Sequence, residues 1–96
     1  MKDYASMSDF EINCRVHAEV MAIAGLDSFK AKDYCNNPAD AWPIITENKI
    51  SIYAMSETDA RGKWGAEAFY PSEAYHFNDN PLRAAMIVFL MMKEGE

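Results

Sequence analysis

The chain has 96 residues, of which 50% are hydrophobic and 25% are charged, and its formal net charge is −6 at pH 7. This length and composition predict a single folded domain over residues 1–96 and exclude a disordered polypeptide. The acidic surface disfavours direct nucleic-acid binding, because phosphate groups repel it.

The N-terminal sequence MKDYASMSDF carries acids and a helix cap where a signal peptide has a basic start and an apolar run. No other segment is long and apolar enough to span a bilayer. We therefore expect a cytoplasmic protein whose two cysteines, Cys14 and Cys35, are reduced thiols.

The first predicted element is a helix that begins at Ser8 and ends at Gly25, a common type of helix stop. Ser8 and Glu11 have the spacing of a capping box. Met7 and Ile12 occupy the positions of a hydrophobic staple. Two apolar stripes at helical spacing predict that this helix contacts two neighbours. The stripes consist of Phe10, Cys14, His17, Met21 and Ala24, and of Ile12, Val16, Val20 and Ile23.

A second helix is predicted over residues 38–48, with Asn37 as its N-cap and a proline at its first position. Pro43 removes a backbone hydrogen bond inside this segment, so we expect the helix to be bent or broken near Trp42. The preceding residues 26–36 lack a clear period and are predicted as a loop, with a short edge strand as the alternative.

A β-hairpin is predicted in the middle of the chain. Residues 50–55 alternate between apolar and polar side chains, residues 56–62 form a polar tip, and residues 64–70 alternate again. Residues 71–79 are predicted as an aromatic-rich connection. The second strand would place one set of side chains on a common face: Trp64, Ala66, Ala68 and Tyr70.

The last predicted element is a helix over residues 80–93, capped by Asn80 and started by Pro81. Residues 82–92 are apolar except for Arg83, and a helix that is apolar on every side must be buried on every side. At roughly 20 Å it is too short to cross a membrane. We therefore predict an α+β fold in which three helices pack on a short antiparallel hairpin or sheet, with this helix at the centre.

Two sets of residues could form a metal site or a catalytic site. Cys14, His17, Cys35 and His76 form a two-Cys, two-His set of the kind that binds zinc, but two of the four come singly from distant loops. We expect buried thiols instead, with no metal and no cofactor. For catalysis, Cys35 or Ser72 would be the nucleophile with a histidine as base, but no local motif fixes either pair. We therefore expect a protein that is not an enzyme.

The candidate binding residues are aromatic or cationic side chains. Most aromatic residues are expected in the core, but Trp and Tyr also anchor binding surfaces. Trp64 follows a polar loop and has a cation, Arg61, nearby, so it could stack on a nucleotide or dock into a partner. Arg83 is expected either at an exposed helix end, paired with Asp79 or Asp40, or in a buried bidentate contact with a carboxylate or phosphate. The full candidate set is Trp42, Tyr53, Arg61, Trp64 and Arg83.

Three blocks of the chain resemble a known family. They are SDFEIN at residues 8–13, YCNNPADAWPIITENKISI at residues 34–52 and NPLRAAMIVFLMM at residues 80–92. The chain resembles the NinX-type proteins of lambdoid and other enterobacterial phages, which are small products encoded among phage accessory genes. The resemblance implies a phage or prophage origin and a role inside the infected bacterium. It implies no catalytic residues.

Two functions compete at this stage. The first is a phage accessory protein that binds a host or phage protein and modulates it without chemistry, which fits the small size, the acidic charge and the surplus of apolar helix surface. The alternative is a protein that binds or sequesters a small ligand such as a nucleotide signal, which requires a pocket lined by Trp and Arg. The apolar rows on the two terminal helices further predict a homodimer formed through helical surfaces.

Overall fold

The computed structural model describes residues 3–21 and 31–95. The helices and strands confirm the predicted α+β class, with three helices and a three-stranded antiparallel sheet in the described part of the chain. The elements in order are a 3₁₀ turn at Tyr4–Ser6, α1 at Asp9–Met21, α2 at Pro38–Glu47, β1 at Ser51–Ala54, β2 at Trp64–Glu67, β3 at Tyr75–Asn78 and α3 at Pro81–Glu94.

The helix α3 lies at the centre of the fold, as the sequence predicted. Residues 84–90 are all buried, and the helix contacts α1, α2 and all three strands. Each large apolar side chain removed from water in this way stabilises the fold by roughly 1.5–3 kcal/mol. None of the helices described here has the length and apolar character needed to cross a membrane.

The sheet has one strand more than the predicted hairpin. The strand order is β1-β2-β3, so β2 is central, and β3 is formed by Tyr75–Asn78 from the segment predicted as a connection. Its sequence, Tyr-His-Phe-Asn, alternates between aromatic and polar residues, but its aromatic residues face away from the core. A search for apolar residues on a buried face therefore misses this strand.

One face of the sheet packs against α3. The cross-strand neighbours Ile52, Ala66 and His76 share that face, and Ala66 is fully buried. The small alanine side chains let the helix backbone approach the sheet closely. The predicted second strand is shorter than expected, because β2 ends at Glu67 and Tyr70 is 83% exposed.

The start of α1 follows the predicted signals in part. The Ser8 side chain accepts a hydrogen bond from the Glu11 backbone N–H at 3.1 Å, Met7 packs against the core, and Ile12 is fully buried. The reciprocal half of the capping box is replaced, because the Glu11 carboxylate accepts a hydrogen bond from Arg15 at 3.3 Å. The predicted end at Gly25 lies outside the described residues, as does part of the predicted loop at 26–36.

The helix α2 begins at the predicted cap, where the Asn37 side chain accepts from the Ala39 N–H at 3.0 Å, and it continues through Pro43 to Glu47. A bend at Pro43 stays a prediction. The helix ends in a Schellman arrangement, in which the Ile50 N–H donates to the Ile45 carbonyl at 3.0 Å. No strand is formed by the described part of the preceding loop, residues 31–36.

Asn80 links α3 to the rest of the chain. Its side-chain oxygen accepts from the Leu82 and Arg83 backbone N–H groups at 2.9 and 3.2 Å, which is the predicted N-cap. Its side-chain nitrogen donates to the Cys35 carbonyl at 2.8 Å and to the Asn36 side chain at 3.1 Å. The same asparagine therefore starts the central helix and holds the turn that precedes α2.

Candidate binding surface

The predicted site residue Arg83 is an internal structural contact. Its Nη1 donates to Asp9 Oδ1 at 2.8 Å. Its Nη2 lies 2.7 Å from the Met7 carbonyl and 3.3 Å from those of Tyr4 and Ala5. The side chain is 11% exposed. The guanidinium thus ties the N-terminal segment to the first turn of α3.

The expectation of an exposed Arg83 paired with Asp79 or Asp40 is wrong. Asp79 instead accepts a hydrogen bond from the Lys63 backbone N–H at 3.1 Å. The structure agrees better with the alternative, a buried bidentate contact with a carboxylate. However, only Nη1 donates to the Asp9 carboxylate, while Nη2 donates to backbone carbonyls. The fork of arginine donors explains this arrangement, because the guanidinium can bind several acceptors at once.

A buried polar cluster lies between α1 and the turn before α2. The Asn13 side chain accepts from the Cys35 backbone N–H and donates to Asp33, both at 3.0 Å. His17 Nδ1 lies 3.2 Å from the Tyr34 hydroxyl. Burial, reinforced by the negative charge of Asp9, raises the pKa of the Cys35 thiol to about 12. Such a thiol is a poor nucleophile near neutral pH.

The Cys and His residues considered for zinc are not brought together in the part of the chain that the structure describes. Within residues 3–21 and 31–95, no three His, Cys, Asp or Glu side chains are grouped to hold a metal ion. The Ser72 hydroxyl accepts from the Ala74 N–H at 3.4 Å. His76 lies on β3, and burial together with the positive charge of Arg83 lowers its pKa.

The face of the sheet opposite α3 is aromatic. Strand alternation places Tyr53, Gly65 and Phe77 side by side on this face, with Tyr75 next to Phe77 along β3. The Tyr53 ring lies over Gly65, since a Cβ at that glycine would come within 2.4 Å of Cε1 of the ring. The rings of Tyr75 and Phe77 meet edge to face with centroids 5.7 Å apart, and Tyr75 is 58% exposed.

Arg61 adds a cation to this face. Its guanidinium carbon lies 4.6 Å from the centroid of the Phe77 ring. Two hydrogen bonds of 3.0 and 2.9 Å join the guanidinium to the Asp59 carboxylate, and they lower the pKa of that carboxyl to about 2. We refer to Tyr53, Tyr75, Phe77 and Arg61 together as the aromatic face.

The five sequence-predicted binding residues lie in four places. Tyr53 and Arg61 both belong to the aromatic face. Trp64 shares the opposite face of β2 with the buried Ala66. Trp42 is 61% exposed on α2, and Arg83 is partly buried against the N-terminal segment. The predicted grouping of Trp64 with Arg61 is therefore not formed.

Trp42 borders a cavity of about 260 Å³ between α2 and β1. The ligand-binding alternative requires a pocket lined by Trp and Arg, and such pockets usually measure roughly 300–1,000 Å³. This cavity is smaller and its cation is Lys49. The other lining residues are Ile45, Thr46, Ile50 and Ile52. Two larger cavities, of about 310 and 750 Å³, are lined by neither a Trp nor an Arg. The predicted combination of Trp and Arg is therefore not found in these cavities, and the small-ligand alternative has less support than a binding surface on the sheet.

Sequence reasoning did not select Tyr75 and Phe77, although both belong to the aromatic face. They were assigned to a connection, because a four-residue strand with a His and an Asn on its inner side gives a weak apolar signal. The alternation of aromatic and polar residues at positions 75–78 was the available signal. Placing those aromatic residues on the outer face requires the strand pairing.

Comparison with known proteins identifies the family. A family model described as Bacteriophage P22, NinX matches residues 3–93. The match includes the three blocks that carry the resemblance and also the hairpin and β3 between them. No curated protein and no solved structure matches the chain. The chain belongs to the NinX family of bacteriophage P22.

Proposed function

We propose that this NinX-family protein is a phage accessory protein that binds a host or phage protein in the bacterial cytoplasm and modulates it without catalysing a reaction. The observation that carries the proposal is the aromatic face. Tyr and Arg are enriched among the residues that contribute most binding energy at protein interfaces, and aromatic anchors usually lie near the centre of such surfaces. The helix α3 packs on the other face of the sheet, and on the aromatic face Tyr75 is 58% exposed.

The charge of the protein favours a protein partner over a nucleic acid. Aromatic platforms that stack bases are accompanied by a positively charged groove that follows the phosphates. Here the cation over the rings, Arg61, is already paired with Asp59, and the whole chain carries a net charge of −6. The net negative charge of the whole protein is better matched to a partner with basic side chains.

A non-catalytic role is supported by the state of the candidate nucleophile. Cys35 is fully buried and its raised pKa keeps the thiol protonated at neutral pH. Catalysis by a thiol requires the opposite arrangement, with a lowered pKa and an accessible sulfur atom. The aromatic face supplies contact area for a partner. Its four residues do not include the acid and base pair that catalysis in a cleft requires.

Capture of the partner from infected cells tests the proposal. We expect the tagged protein to recover a stoichiometric protein partner, and Tyr75→Ala to abolish the recovery because it removes an exposed ring from the aromatic face. Tyr70→Ala is the matched control, since Tyr70 is 83% exposed and lies outside the three strands. Repeated recovery of the tagged protein alone, or equal loss with both variants, would contradict the proposal.

A further inference from the structure

We propose that the edge of β3 that faces away from β2 accepts an extended segment of the partner, bearing lysine or arginine side chains, as a fourth strand of the sheet. The inference rests on the proposed function and names the kind of partner segment that the aromatic face would meet. Addition of a strand at a sheet edge is a common mode of peptide recognition, in which backbone hydrogen bonds give affinity and alternate side chains give specificity.

The pairing of β3 with β2 leaves backbone groups at the edge. The Ala68 N–H donates to the Ala74 carbonyl at 2.9 Å, which places this pair in the hydrogen-bonded phase of the antiparallel ladder. Because hydrogen-bonded and non-hydrogen-bonded pairs alternate, the N–H and C=O groups of Tyr75 and Phe77 point away from β2. No hydrogen bond to these groups is formed within residues 3–21 and 31–95.

A groove borders the first half of this edge, at Tyr75 and His76. It has a volume of about 750 Å³ and runs between β3 and the C-terminal turns of α3. Met91 and Ala74 give it an apolar part, and Glu73 and Glu94 give it a polar rim. The other edge of the sheet, at β1, adjoins the cavity of about 260 Å³ beside Trp42. The space beside β3 is therefore the larger of the two.

The spacing of the outer rings suits a strand. Side chains on one face of a strand recur every second residue, which is roughly 6.6–6.8 Å. The Tyr75 and Phe77 centroids are 5.7 Å apart on the aromatic face. Alternate side chains of an added strand would thus lie beside these two rings, while the intervening ones would point toward Met91 and His76.

Two carboxylates near this edge favour a partner segment that carries positive charge. Glu67 is the cross-strand neighbour of Tyr75, and Glu73 lines the groove. Neither carboxylate forms an ion pair within the described part of the chain. A lysine or arginine of the partner could meet these carboxylates and also the face of the Tyr75 ring. A second copy of this chain would instead bring the same carboxylates toward each other.

The test uses the full-length protein and an octapeptide that alternates Lys and Val. By NMR titration we expect saturable binding, with slowed amide exchange at Tyr75 and Phe77. A peptide with the same sequence but N-methylated at every residue should bind at least tenfold more weakly, because it has no backbone N–H to donate to β3. A peptide with Glu in place of Lys should be weakened to a similar degree.

Variants of the protein locate the peptide. Tyr75→Ala should weaken binding of the Lys-Val peptide severalfold, and Tyr70→Ala should leave it unchanged. The inference would be overturned by absence of binding at millimolar peptide, by equal binding of the N-methylated peptide, or by protection of the β1 edge. If the amides of Tyr75 and Phe77 are protected from exchange in the absence of peptide, and this protection increases with protein concentration, the edge pairs with a second copy of the chain instead.

This outcome is distinguishable from failure of the proposed function. If infected cells yield a partner that depends on Tyr75 but the peptide series fails, the protein-binding role stands and strand addition does not. If no partner is recovered from infected cells, the proposed function itself fails.

Discussion

The guanidinium of Arg83 connects the first turn of α3 to the segment before α1. Four acceptors receive its donors: one carboxylate oxygen of Asp9 and the carbonyls of Tyr4, Ala5 and Met7. The N-terminal segment makes no regular helix beyond one 3₁₀ turn. The Tyr4 carbonyl also accepts from the Met7 N–H at 3.1 Å, whereas the carbonyls of Ala5 and Met7 receive their hydrogen bonds from Arg83.

We expect Arg83→Ala to lower the free energy of unfolding by about 2–3 kcal/mol, because the partly buried Met7 carbonyl and the Asp9 carboxylate lose this donor. Arg83→Lys should recover only part of the loss, since an ammonium cannot reproduce the planar fork. Urea denaturation monitored by circular dichroism measures both values. Arg61→Ala is a matched control on an exposed arginine and should leave the stability close to that of the wild type. Equal stability of wild type and Arg83→Ala would contradict the assigned role.

Burial controls the chemistry of Cys35. The raised pKa, about 12, keeps the thiol protonated over the usual working range, so the thiolate that reacts with disulfide reagents is scarce. We expect Cys35 to resist Ellman's reagent at pH 8 in the native protein and to react after unfolding in urea. A Cys14→Ser variant isolates the signal of Cys35. Rapid reaction of that variant without denaturant would show that the thiol is accessible.

At the scale of the element, the end of α2 contains a strained residue. Lys49 adopts a positive φ of 54° at the position that follows the helix cap. This conformation completes the turn from α2 into β1, and it brings the buried side chains of Ile45 and Ile50 together. Glycine is the usual residue at this position because it has no Cβ to clash.

We expect Lys49→Gly to raise the free energy of unfolding by about 0.5–1 kcal/mol through relief of that strain. Lys49→Ala keeps a Cβ and removes the same long side chain, so it should bring no gain. Thermal denaturation of the two variants separates the backbone effect from loss of the contact between Lys49 and the Phe69 ring. A gain with Ala equal to that with Gly would assign the effect to the side chain.

Two glycines of the sheet region differ in what surrounds them. Gly62 has a φ of +143°, and a Cβ there would lie 2.7 Å from the backbone nitrogen of Asn78. A Cβ at Gly65 would meet the outer end of the Tyr53 ring, which can rotate toward solvent. We expect Gly62→Ala to cost about 2 kcal/mol or more and Gly65→Ala clearly less, as measured by urea denaturation. The reverse order would show that Tyr53 is held rigidly in place.

Sequence reasoning performed best where the signal is local. Asn37 and Asn80 were identified as caps, and the apolar run after Asn80 predicted a buried helix, because capping chemistry and periodicity are properties of adjacent residues. The second set of hydrogen bonds made by Asn80, to the turn at Cys35, spans 45 residues of chain and has no local signature.

The candidate site was predicted less well for the same reason. Tyr53 and Arg61 lie together on the aromatic face, while Trp64 alternates to the opposite face of the sheet. Their separation follows from strand pairing and register, which a single sequence does not specify. Arg83 was recognised as an exception in an apolar helix, but its acceptors are contributed by residues more than 70 positions earlier.

At the scale of the whole molecule, only one of the two terminal helices retains the exposed apolar surface from which the homodimer is predicted. The apolar surface of α3 is covered within one chain, so it no longer calls for a second copy. The side chains that remain outside on α1 include Phe10 at 67% and Met21 at 54% exposure. The predicted dimer therefore rests on α1, whose residues at these two positions project in similar directions.

We expect light scattering at micromolar concentration to give the mass of a dimer and Phe10→Ser combined with Met21→Ser to give that of a monomer. Loss of two exposed apolar side chains should weaken the association without unfolding the domain. Trp42→Ser, which removes an exposed aromatic residue from α2, is the control and should leave the mass unchanged. A monomeric wild-type protein would remove the homodimer from consideration.

The central position of α3 has a consequence for biosynthesis. This helix contacts α1, α2 and every strand, yet it is translated after all of them. While it remains in the ribosomal exit tunnel, the elements already outside have no common surface on which to pack. The nascent chain should therefore stay open to proteases until α3 emerges, and then acquire its resistance in one step.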